Sequence, residues 1–277
     1  MSIKEITDFL VKLALAEDVG RGDITTRAII QKDQKAKAIL TAKEAGVICG
    51  VSIAAEVFHH VDHRIKFSPK VKDGVFVQKG KVIAVVSGPA RGILTGERVA
   101  LNFLQHLSGI ATLTRAFVSR VASRGSRVKI LDTRKTIPGL RVLEKYAVKM
   151  GGGVNHRMGL YDAILIKDNH IKLAGGIERA VEKVARRGSR VEIEVRTLNE
   201  VQRAIAVGVD TILLDNMSVK VLRAAVKLCK KVGVKTEASG GVNLNNVAVI
   251  AKAGVDYISV GALTHSAKAL DINLKIV

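Results

Sequence analysis

A chain of 277 residues is long enough for one barrel of ordinary size, or for a smaller barrel with an added domain. Hydrophobic residues make up 48% and charged residues 25%, which is a globular composition, and no apolar run approaches the length needed to cross a bilayer. The net charge of +20 favours anionic partners, either nucleic acid or small molecules rich in phosphate and carboxylate.

The first twenty residues predict an amphipathic helix that belongs to the fold. Its apolar positions recur at helical spacing, with acidic residues between them: Ile3, Ile6, Phe9, Leu10 and Leu13. Because a secretory signal needs a basic start and a continuous apolar centre, this pattern favours a cytoplasmic protein. Cys49 and Cys229 lack metal-ligand spacing and are predicted to be buried thiols.

Residues 1–105 predict a separate α+β domain. Short apolar strands at 36–40, 47–48, 65–67 and 82–86 alternate with glycine-rich turns and with one helix at 51–61, which is not the rhythm of a βα repeat. A helix opening at Thr95 is expected to run toward Leu107. Ser108-Gly109 is expected to break it before a second helix begins near Ile110.

Residues 106–265 predict a barrel of parallel strands joined by helices. Six apolar segments each end on or near a residue that can do chemistry: 128–132, 163–167, 191–195, 211–215, 235–239 and 257–261. From Val191 onward these ends recur roughly every 22 residues, enough for one strand and one helix. The carboxyl ends of such strands line one shared mouth, where we expect the site. Residues 266–277 are expected to pack back on the first domain.

A short repeat marks the helix-to-strand joints of this region. Arg-Gly-Ser-Arg-Val at 124–128 recurs at 187–191, each time after a helical stretch and before an apolar strand. Glycine just past a helix is the usual C-terminal cap, so the repeating unit is predicted to be helix, glycine, strand.

Basic residues follow two of the predicted strand ends. Arg134 and Lys135 follow the first strand end. The planar guanidinium of arginine and the ammonium group of lysine both suit a carboxylate or phosphate ligand. Lys167 ends another strand, where it could hold such an anion or act as a Schiff-base nucleophile. His170, close behind it, is expected to cap a helix or lie in the core.

Acidic and glycine residues end the later strands. Glu194 and Asp215 interrupt apolar strands, where an unpaired carboxylate is costly, so a metal, a ribose diol or a nearby lysine is expected beside them. Ser239-Gly240-Gly241 and Gly261 follow two successive late strands. Their backbone N–H groups, with the positive end of the following helix, match the phosphate site common in such barrels.

Several segments in their order resemble the quinolinate phosphoribosyltransferase family over nearly the whole chain. The matching motifs are residues 17–26 (EDVGRGDITT), 97–102 (ERVALN), 132–136 (DTRKT), 151–157 (GGGVNHR), 167–170 (KDNH) and 237–241 (EASGG). The resemblance implies an α/β protein with an N-terminal α+β sandwich-like domain and an open seven-stranded α/β barrel of the type II phosphoribosyltransferases. It also implies a homodimer with shared active sites, or a higher oligomer such as a hexamer, and Mg²⁺ as cofactor.

The resemblance implies a role for each matched position. The quinolinate pocket would be lined by Arg134, Lys135, His156, Arg157 and Lys167, with Arg98 entering from the neighbouring subunit, and Thr133 is a further expected substrate-binding residue. Glu194 and Asp215 would hold the ribose hydroxyls and Mg²⁺ of phosphoribosyl pyrophosphate, and with Lys167 they are the expected catalytic residues. The 5′-phosphate would be bound by Ser239, Gly240, Gly241, Gly261 and His265. The products would be nicotinate mononucleotide, pyrophosphate and CO₂.

Two other functions are compatible with parts of the sequence. A related phosphate-binding barrel could take a different base without decarboxylation, although Arg98, Arg134 and Arg157 together are excessive for a single carboxylate. A basic nucleic-acid-binding protein would account for the net charge. However, aromatic residues at 3% and the absence of Trp leave few stacking platforms for single strands. No specific nucleic acid and no membrane is therefore expected as a partner.

Overall fold

A computed structural model describes residues 3–122, 127–185 and 190–277, which divide into two compact units. The N-terminal unit contains the chain up to Arg115 together with Thr136–Gly152 and Ser266–Val277, and the barrel unit contains Ala116–Lys135 and Gly153–His265. The boundary expected at residue 105 therefore differs from the structure, in which residues 136–152 also belong to the N-terminal unit. The predicted glycine caps at 125 and 188 lie outside the described residues.

The N-terminal unit is built on a four-stranded antiparallel sheet in the order β12-β1-β5-β3. Its strands are β1 (Lys35–Ala42), β3 (Lys66–Pro69), β5 (Val82–Pro89) and β12 (Ile272–Ile276), and β2 (Gly46–Val47) pairs separately with β4 (Phe76–Val77). Alternation along β1 buries Ala38, Leu40 and Ala42. Leu40 lies opposite Leu274, so the C-terminal segment completes this sheet.

Helices complete the N-terminal unit. They are α1 (Ile3–Val19), α2 (Ile24–Ile29), α3 (Val51–Val61), α4 (Ala90–Ala122, which continues into the barrel unit) and α5 (Arg141–Met150). Asp23 caps α2 by accepting a hydrogen bond from the Thr26 backbone N–H at 2.9 Å. The predicted Cys49 and Cys229 thiols are both buried and unpaired, as expected.

The predicted break at Ser108-Gly109 is wrong, because α4 runs through it without interruption. Ser108 is fully buried, and its hydroxyl accepts a hydrogen bond from the Cys49 backbone N–H at 2.9 Å and donates one to the Cys49 carbonyl at 3.2 Å. Gly109 lies directly against the backbone of Lys268, where a Cβ atom would clash. These two small residues therefore allow close packing and do not mark a helix end.

The barrel unit is a sheet of six parallel strands in the order β6-β11-β10-β9-β8-β7. The strands are β6 (Lys129–Leu131), β7 (Ile164–Ile166), β8 (Val191–Val195), β9 (Thr211–Asp215), β10 (Lys235–Ser239) and β11 (Tyr257–Ser259). They are joined by α6 (Asp168–Ala174), α7 (Ile177–Ala185), α8 (Leu198–Ala206), α9 (Val219–Lys231), α10 (Val247–Ala251) and α11 (Ala262–His265). Each strand coincides with a predicted segment within two residues.

The sheet is open, as predicted, although its seventh member is reduced to one bridge. Val154 forms a parallel bridge with Leu131 on the outer side of β6. Within the described residues, β7 at the other end pairs with β8 alone. Arg157, three residues beyond the bridge, donates from Nη1 to the carbonyl of Ala163 at 3.2 Å and links the two edges. None of the described helices has the length and apolarity needed to span a membrane.

Candidate active site

A cavity of about 590 Å³ opens at the carboxyl ends of the barrel strands. Each strand contributes residues from its later positions or from the loop that follows it. The predicted site residues of the barrel unit all line it: Thr133, Arg134, Lys135, His156, Arg157, Lys167, Glu194, Asp215, Ser239, Gly240, Gly241, Gly261 and His265. Arg98, the remaining predicted residue, is an exposed side chain of α4 in the N-terminal unit.

Two guanidinium groups form a cationic wall of the cavity. Burial lowers the pKa of Arg157, and the positive charge of Arg134 lowers it further. Lys135 follows in the same loop, and its backbone N–H donates to Thr133 Oγ1 at 3.1 Å. Since both guanidinium groups repel each other in a partly dehydrated place, an anion with more than one negative charge suits this wall.

The loop after β6, which carries Arg134 and Lys135, is fixed at its far end. Thr264 Oγ1 donates a hydrogen bond to the Lys135 carbonyl at 2.7 Å, which ties the loop after β6 to α11. A Cβ atom on Gly261 would lie 3.0 Å from Lys135 Cδ and 3.2 Å from His265 Nε2. Glycine at 261 therefore lets the lysine and histidine side chains approach the backbone between them.

His156 lines the cavity with both of its ring nitrogens already engaged by the protein. Nδ1 accepts a hydrogen bond from the Arg157 backbone N–H at 2.8 Å, so the proton of the neutral ring lies on Nε2. Nε2 lies 3.0 Å from Glu192 Oε2 and donates to it. The His156 backbone N–H donates to the buried carboxylate of Asp132 at 2.9 Å. The arrangement positions the ring as a fixed wall of the pocket.

Two glutamates beneath His156 are absent from the predicted set. Glu237 is 2% exposed and accepts a hydrogen bond from Ser259 Oγ at 2.5 Å. Burial, and then repulsion from Glu192, raises the pKa of Glu237 to about 8. Strand alternation could have identified Glu192, which shares a face of β8 with Glu194. The same alternation places Glu237 on one face of its strand with the predicted Ser239, and both line the cavity.

The predicted acidic residues Glu194 and Asp215 lie at the carboxyl ends of adjacent strands, and Arg196 contacts both of them. Their side chains are 13% and 14% exposed. Lys167 Nζ lies 4.0 Å from Glu194 Oε2. Arg196 reaches Glu194 Oε1 at 3.6 Å and Asp215 Oδ2 at 3.4 Å. Burial, and then repulsion from Asp215, raises the pKa of Glu194, so added positive charge would be favourable here.

The donor set of Glu194 and Asp215 fits a divalent cation. Both groups offer carboxylate oxygens, the ligands that Mg²⁺ prefers. The guanidinium of Arg196 contacts both carboxylates, through Nη2 to Glu194 and through Nε to Asp215, so both acids face one cationic group. The mutual repulsion of the two acids is the electrostatic reason for a cation at this place.

Asn216 is a further cavity residue that the sequence analysis did not predict. It has a left-handed backbone, with φ of 54°, and its side-chain Nδ2 donates to Asp215 Oδ2 at 3.0 Å. Ser239 Oγ donates to the other oxygen of Asp215 at 2.8 Å. The Asn216 amide also occupies the space that a Cβ on Gly240 would need. Its position directly after Asp215, which ends a strand, could have identified Asn216 as a site residue from the sequence.

The loops predicted to bind phosphate are each followed by a helix, as expected, but both helices are short. After Gly240-Gly241 the next helix, α10, begins only at Val247, and α11 after Gly261 is a single turn. The expected contribution of a helix dipole is therefore small. Gly240, Gly241, Gly261 and His265 line this part of the cavity, where backbone N–H groups could hold an anion, whereas the Ser239 hydroxyl already donates to Asp215.

His170 was expected either to cap a helix or to lie in the core, and in the structure it caps a helix. Its Nδ1 accepts a hydrogen bond from the Lys167 backbone N–H at 3.0 Å at the start of α6. The ring is exposed. The contact fixes the backbone of Lys167 while leaving its side chain directed to the cavity.

Family models match both parts of the chain. The model of the N-terminal domain of quinolinate phosphoribosyl transferase matches residues 23–108, and that of the C-terminal domain matches residues 110–275. A probable nicotinate-nucleotide pyrophosphorylase (carboxylating) of Bacillus subtilis is 45% identical over 263 residues, 94% of this chain and 90% of the relative. The chloroplastic enzyme of that name from Arabidopsis thaliana is 48% identical over 96% of this chain and 82% of its own.

Solved structures agree with the sequence matches. The nicotinate-nucleotide pyrophosphorylase of Francisella tularensis superposes with a TM-score of 0.95 at 42% identity, covering 100% of this chain and 98% of that one. A structure from Streptococcus pyogenes superposes with a TM-score of 0.94, also at 42% identity and with the same coverage. The likeness therefore extends over both units of the chain.

Proposed function

The chain belongs to the quinolinate phosphoribosyltransferase family and is a carboxylating nicotinate-nucleotide pyrophosphorylase of de novo NAD biosynthesis, and we propose that the barrel cavity is its active site. The enzyme joins quinolinate to phosphoribosyl pyrophosphate and forms nicotinate mononucleotide, pyrophosphate and CO₂. One observation carries the proposal: a cationic wall and a pair of carboxylates share a single cavity of about 590 Å³. The two sets match a dicarboxylate base and a sugar phosphate.

The cationic wall is the proposed quinolinate pocket. Arg134 and Arg157 would hold the two carboxylates of the base, and Lys135 and Lys167 add positive charge around them. His156 would bound the pocket through its fixed ring, because its nitrogens are engaged by Arg157 and Glu192. Thr133 Oγ1 accepts a hydrogen bond from the Lys135 backbone N–H and so stabilises the turn that carries Lys135.

The opposite side is the proposed site of phosphoribosyl pyrophosphate. Glu194 and Asp215 would hold the ribose hydroxyls and Mg²⁺, which their oxygen donors and mutual repulsion fit. Mg²⁺, when bound, would neutralise charge on the leaving pyrophosphate. The 5′-phosphate would lie on the late strand loops, within reach of Ser239, Gly240, Gly241, Gly261 and His265.

The proposed mechanism consists mostly of positioning and charge stabilisation. The bond between ribose C1 and pyrophosphate breaks with its electron pair leaving on pyrophosphate, and positive charge develops on the sugar. The buried carboxylates of Glu194 and Asp215 would stabilise that charge while Lys167 faces the anionic groups. The quinolinate nitrogen then forms the new bond to C1 from the opposite face, held there by the arginine wall.

Decarboxylation follows from the product of that step. The ring nitrogen is now positively charged and accepts electron density, so the bond from the adjacent ring carbon to its carboxylate breaks and releases CO₂. The electron pair stays on that carbon, which takes up a proton from water. Arg134 and Arg157 would keep the remaining carboxylate in place during this step.

We propose a homodimer with shared active sites, which a hexamer built from such dimers would preserve. Arg98 is exposed on α4 and lies outside the cavity-lining set of the barrel unit. In an isologous dimer one such arginine could enter each partner's cavity and complete the charge around quinolinate. Small-molecule substrates account for the cationic cavity without a specific nucleic acid partner.

Direct binding tests the proposed quinolinate pocket. Calorimetric titration with quinolinate should show an affinity loss of at least about 30-fold in Arg134→Gln, as expected for breaking a partly buried charge pair. Lys220→Gln, which removes an exposed charge of α9, should bind as the wild type does. Undiminished affinity in Arg134→Gln would place the dicarboxylate elsewhere.

A further inference from the structure

Arg196 lies where three carboxylates converge, two of which, Glu194 and Asp215, line the cavity. It directly follows β8, and its guanidinium is 3.4 Å from Asp168 Oδ2, 3.6 Å from Glu194 Oε1 and 3.4 Å from Asp215 Oδ2. Its backbone N–H donates to Glu200 Oε2 at 2.7 Å, which anchors the main chain but leaves the side chain free to turn. Within the described residues, each ion pair of its side chain is therefore to one of these three acids.

These contacts are long, and the arginine side of each is exposed to water. The Arg196 side chain is 57% exposed, and none of its three ion pairs is as short as the 2.6 Å pair between Arg203 and Glu178 on the same unit. Exposed ion pairs of this length contribute little, because water screens them and the side chain loses rotamer freedom. The Arg196 guanidinium can thus be displaced at low cost.

The local charges are not balanced by Arg196. Asp168, Glu194 and Asp215 carry three negative charges, and Arg196 with Lys167 supplies two positive ones. A divalent cation between Glu194 and Asp215 would compensate the acids better than a guanidinium. It would also repel Arg196, which touches the same two carboxylates. Both cations cannot occupy this place together.

We propose that Arg196 is an internal counter-ion that competes with the divalent cation for Glu194 and Asp215 and is displaced when the metal-bound substrate enters. The inference rests on the proposed function, since it takes these two acids as the cation site. Arg196 keeps the pair of acids neutralised in the free enzyme and sets how much divalent cation is needed to load it. It is a positioning residue and makes no contact with the reacting atoms.

The competition predicts that removing Arg196 strengthens cation binding. Mn²⁺ would be titrated into enzyme free of substrate, and unbound Mn²⁺ followed by electron paramagnetic resonance. Arg196→Gln, which keeps much of the length but not the charge, should bind Mn²⁺ about three to ten times more tightly, the range expected for losing weak exposed ion pairs. The Mg²⁺ concentration for half-maximal activity should fall in parallel.

Arg203→Gln is the matched control, because it changes the net charge equally and breaks a pair outside the cavity-lining set. Its Mn²⁺ affinity should equal that of the wild type. Equal or weaker Mn²⁺ binding in Arg196→Gln would overturn the proposal, and a raised KM for phosphoribosyl pyrophosphate with unchanged Mn²⁺ binding would instead make Arg196 a ligand of the substrate phosphates.

A double variant separates this inference from the proposed cation site. Adding Glu194→Gln to Arg196→Gln should abolish the gained Mn²⁺ affinity. If tight Mn²⁺ binding survives in the double variant, the ion lies elsewhere, and the assignment of Glu194 fails along with the competition. If single and double variants differ as expected but Arg196→Gln gains nothing over wild type, the cation site stands and the role of Arg196 alone is wrong.

Discussion

His156 Nε2 lies 3.0 Å from Glu192 Oε2 and 3.7 Å from Glu237 Oε2, so one imidazole N–H faces two carboxyl groups, one partly and one fully buried. Two carboxylates beneath a single donor are costly to ionise together. Burial and the neighbouring Glu192 raise the pKa of Glu237 to about 8. The Glu237 carboxyl group therefore keeps its proton at neutral pH.

This proton predicts a pH dependence of stability. The folded protein holds it between about pH 5 and 8, where the unfolded chain has released it, so the free energy of unfolding should fall across that range. The slope from this group is at most about 1.4 kcal/mol per pH unit. Thermal unfolding from pH 5 to 9 should show the slope reduced in Glu237→Gln and retained in the exposed-residue control Glu182→Gln. Parallel curves for all three proteins would refute the buried proton.

Asn216 is predicted to orient Asp215 through its amide. Asn216→Gly keeps the left-handed backbone but removes the hydrogen bond to Asp215, so the KM for phosphoribosyl pyrophosphate should rise about five- to tenfold with little loss of stability. Asn216→Ala should show the same kinetic loss and unfold about 1 kcal/mol more easily, because alanine is strained at positive φ. A glycine variant with wild-type KM would show that the amide has no such role.

Glu194 and Asp215 are predicted to serve binding and not stability. Alanine at either position should raise the requirement for phosphoribosyl pyrophosphate at least about 100-fold or abolish turnover, as expected when a charge-stabilising group is lost. The fold should survive, because burial already raises the pKa of Glu194 and makes its charge unfavourable. Circular dichroism and melting would be compared with Glu178→Ala, an exposed acid outside the cavity. Unfolding of both site variants would assign these acids a structural role.

Shared sites predict complementation between two inactive proteins. If Arg98 acts in the partner's cavity, a mixed dimer of Arg98→Ala and Lys167→Ala has one site with both defects and one with neither. Random exchange of subunits should then restore about a quarter of all sites, by symmetry alone. Activity would be measured after exchange has been demonstrated with differently tagged proteins. If no activity were recovered, Arg98 would act within its own chain and the shared-site proposal would be wrong.

The barrel and its mouth follow from local sequence rules. Apolar strands spaced by one helix predict β8, β9 and β10 with their observed bounds, and residues at their ends converge because parallel strands share an edge. The resemblance to the family adds what spacing cannot supply, namely which substrate each residue would touch.

Tertiary contacts decide what local rules miss. Ser108 and Gly109 predict a helix break, yet partners 59 and more residues away make a continuous α4 favourable. Glu237 looks like an ordinary polar strand residue until Glu192, His156 and Ser259 surround it. Arg196 likewise follows a strand as many surface arginines do, and only its convergence with acids of β8, β9 and α6 supports its proposed role.

The most direct test of the active-site account is a product assay with the purified protein, phosphoribosyl pyrophosphate and Mg²⁺, supplied with either quinolinate or nicotinate. Quinolinate should yield equal amounts of nicotinate mononucleotide, pyrophosphate and CO₂. Nicotinate should be used at least about 100 times less efficiently in kcat/KM, because one arginine of the wall formed by Arg134 and Arg157 would lose its carboxylate partner. Comparable specificity constants for the two bases would contradict the proposed dicarboxylate pocket.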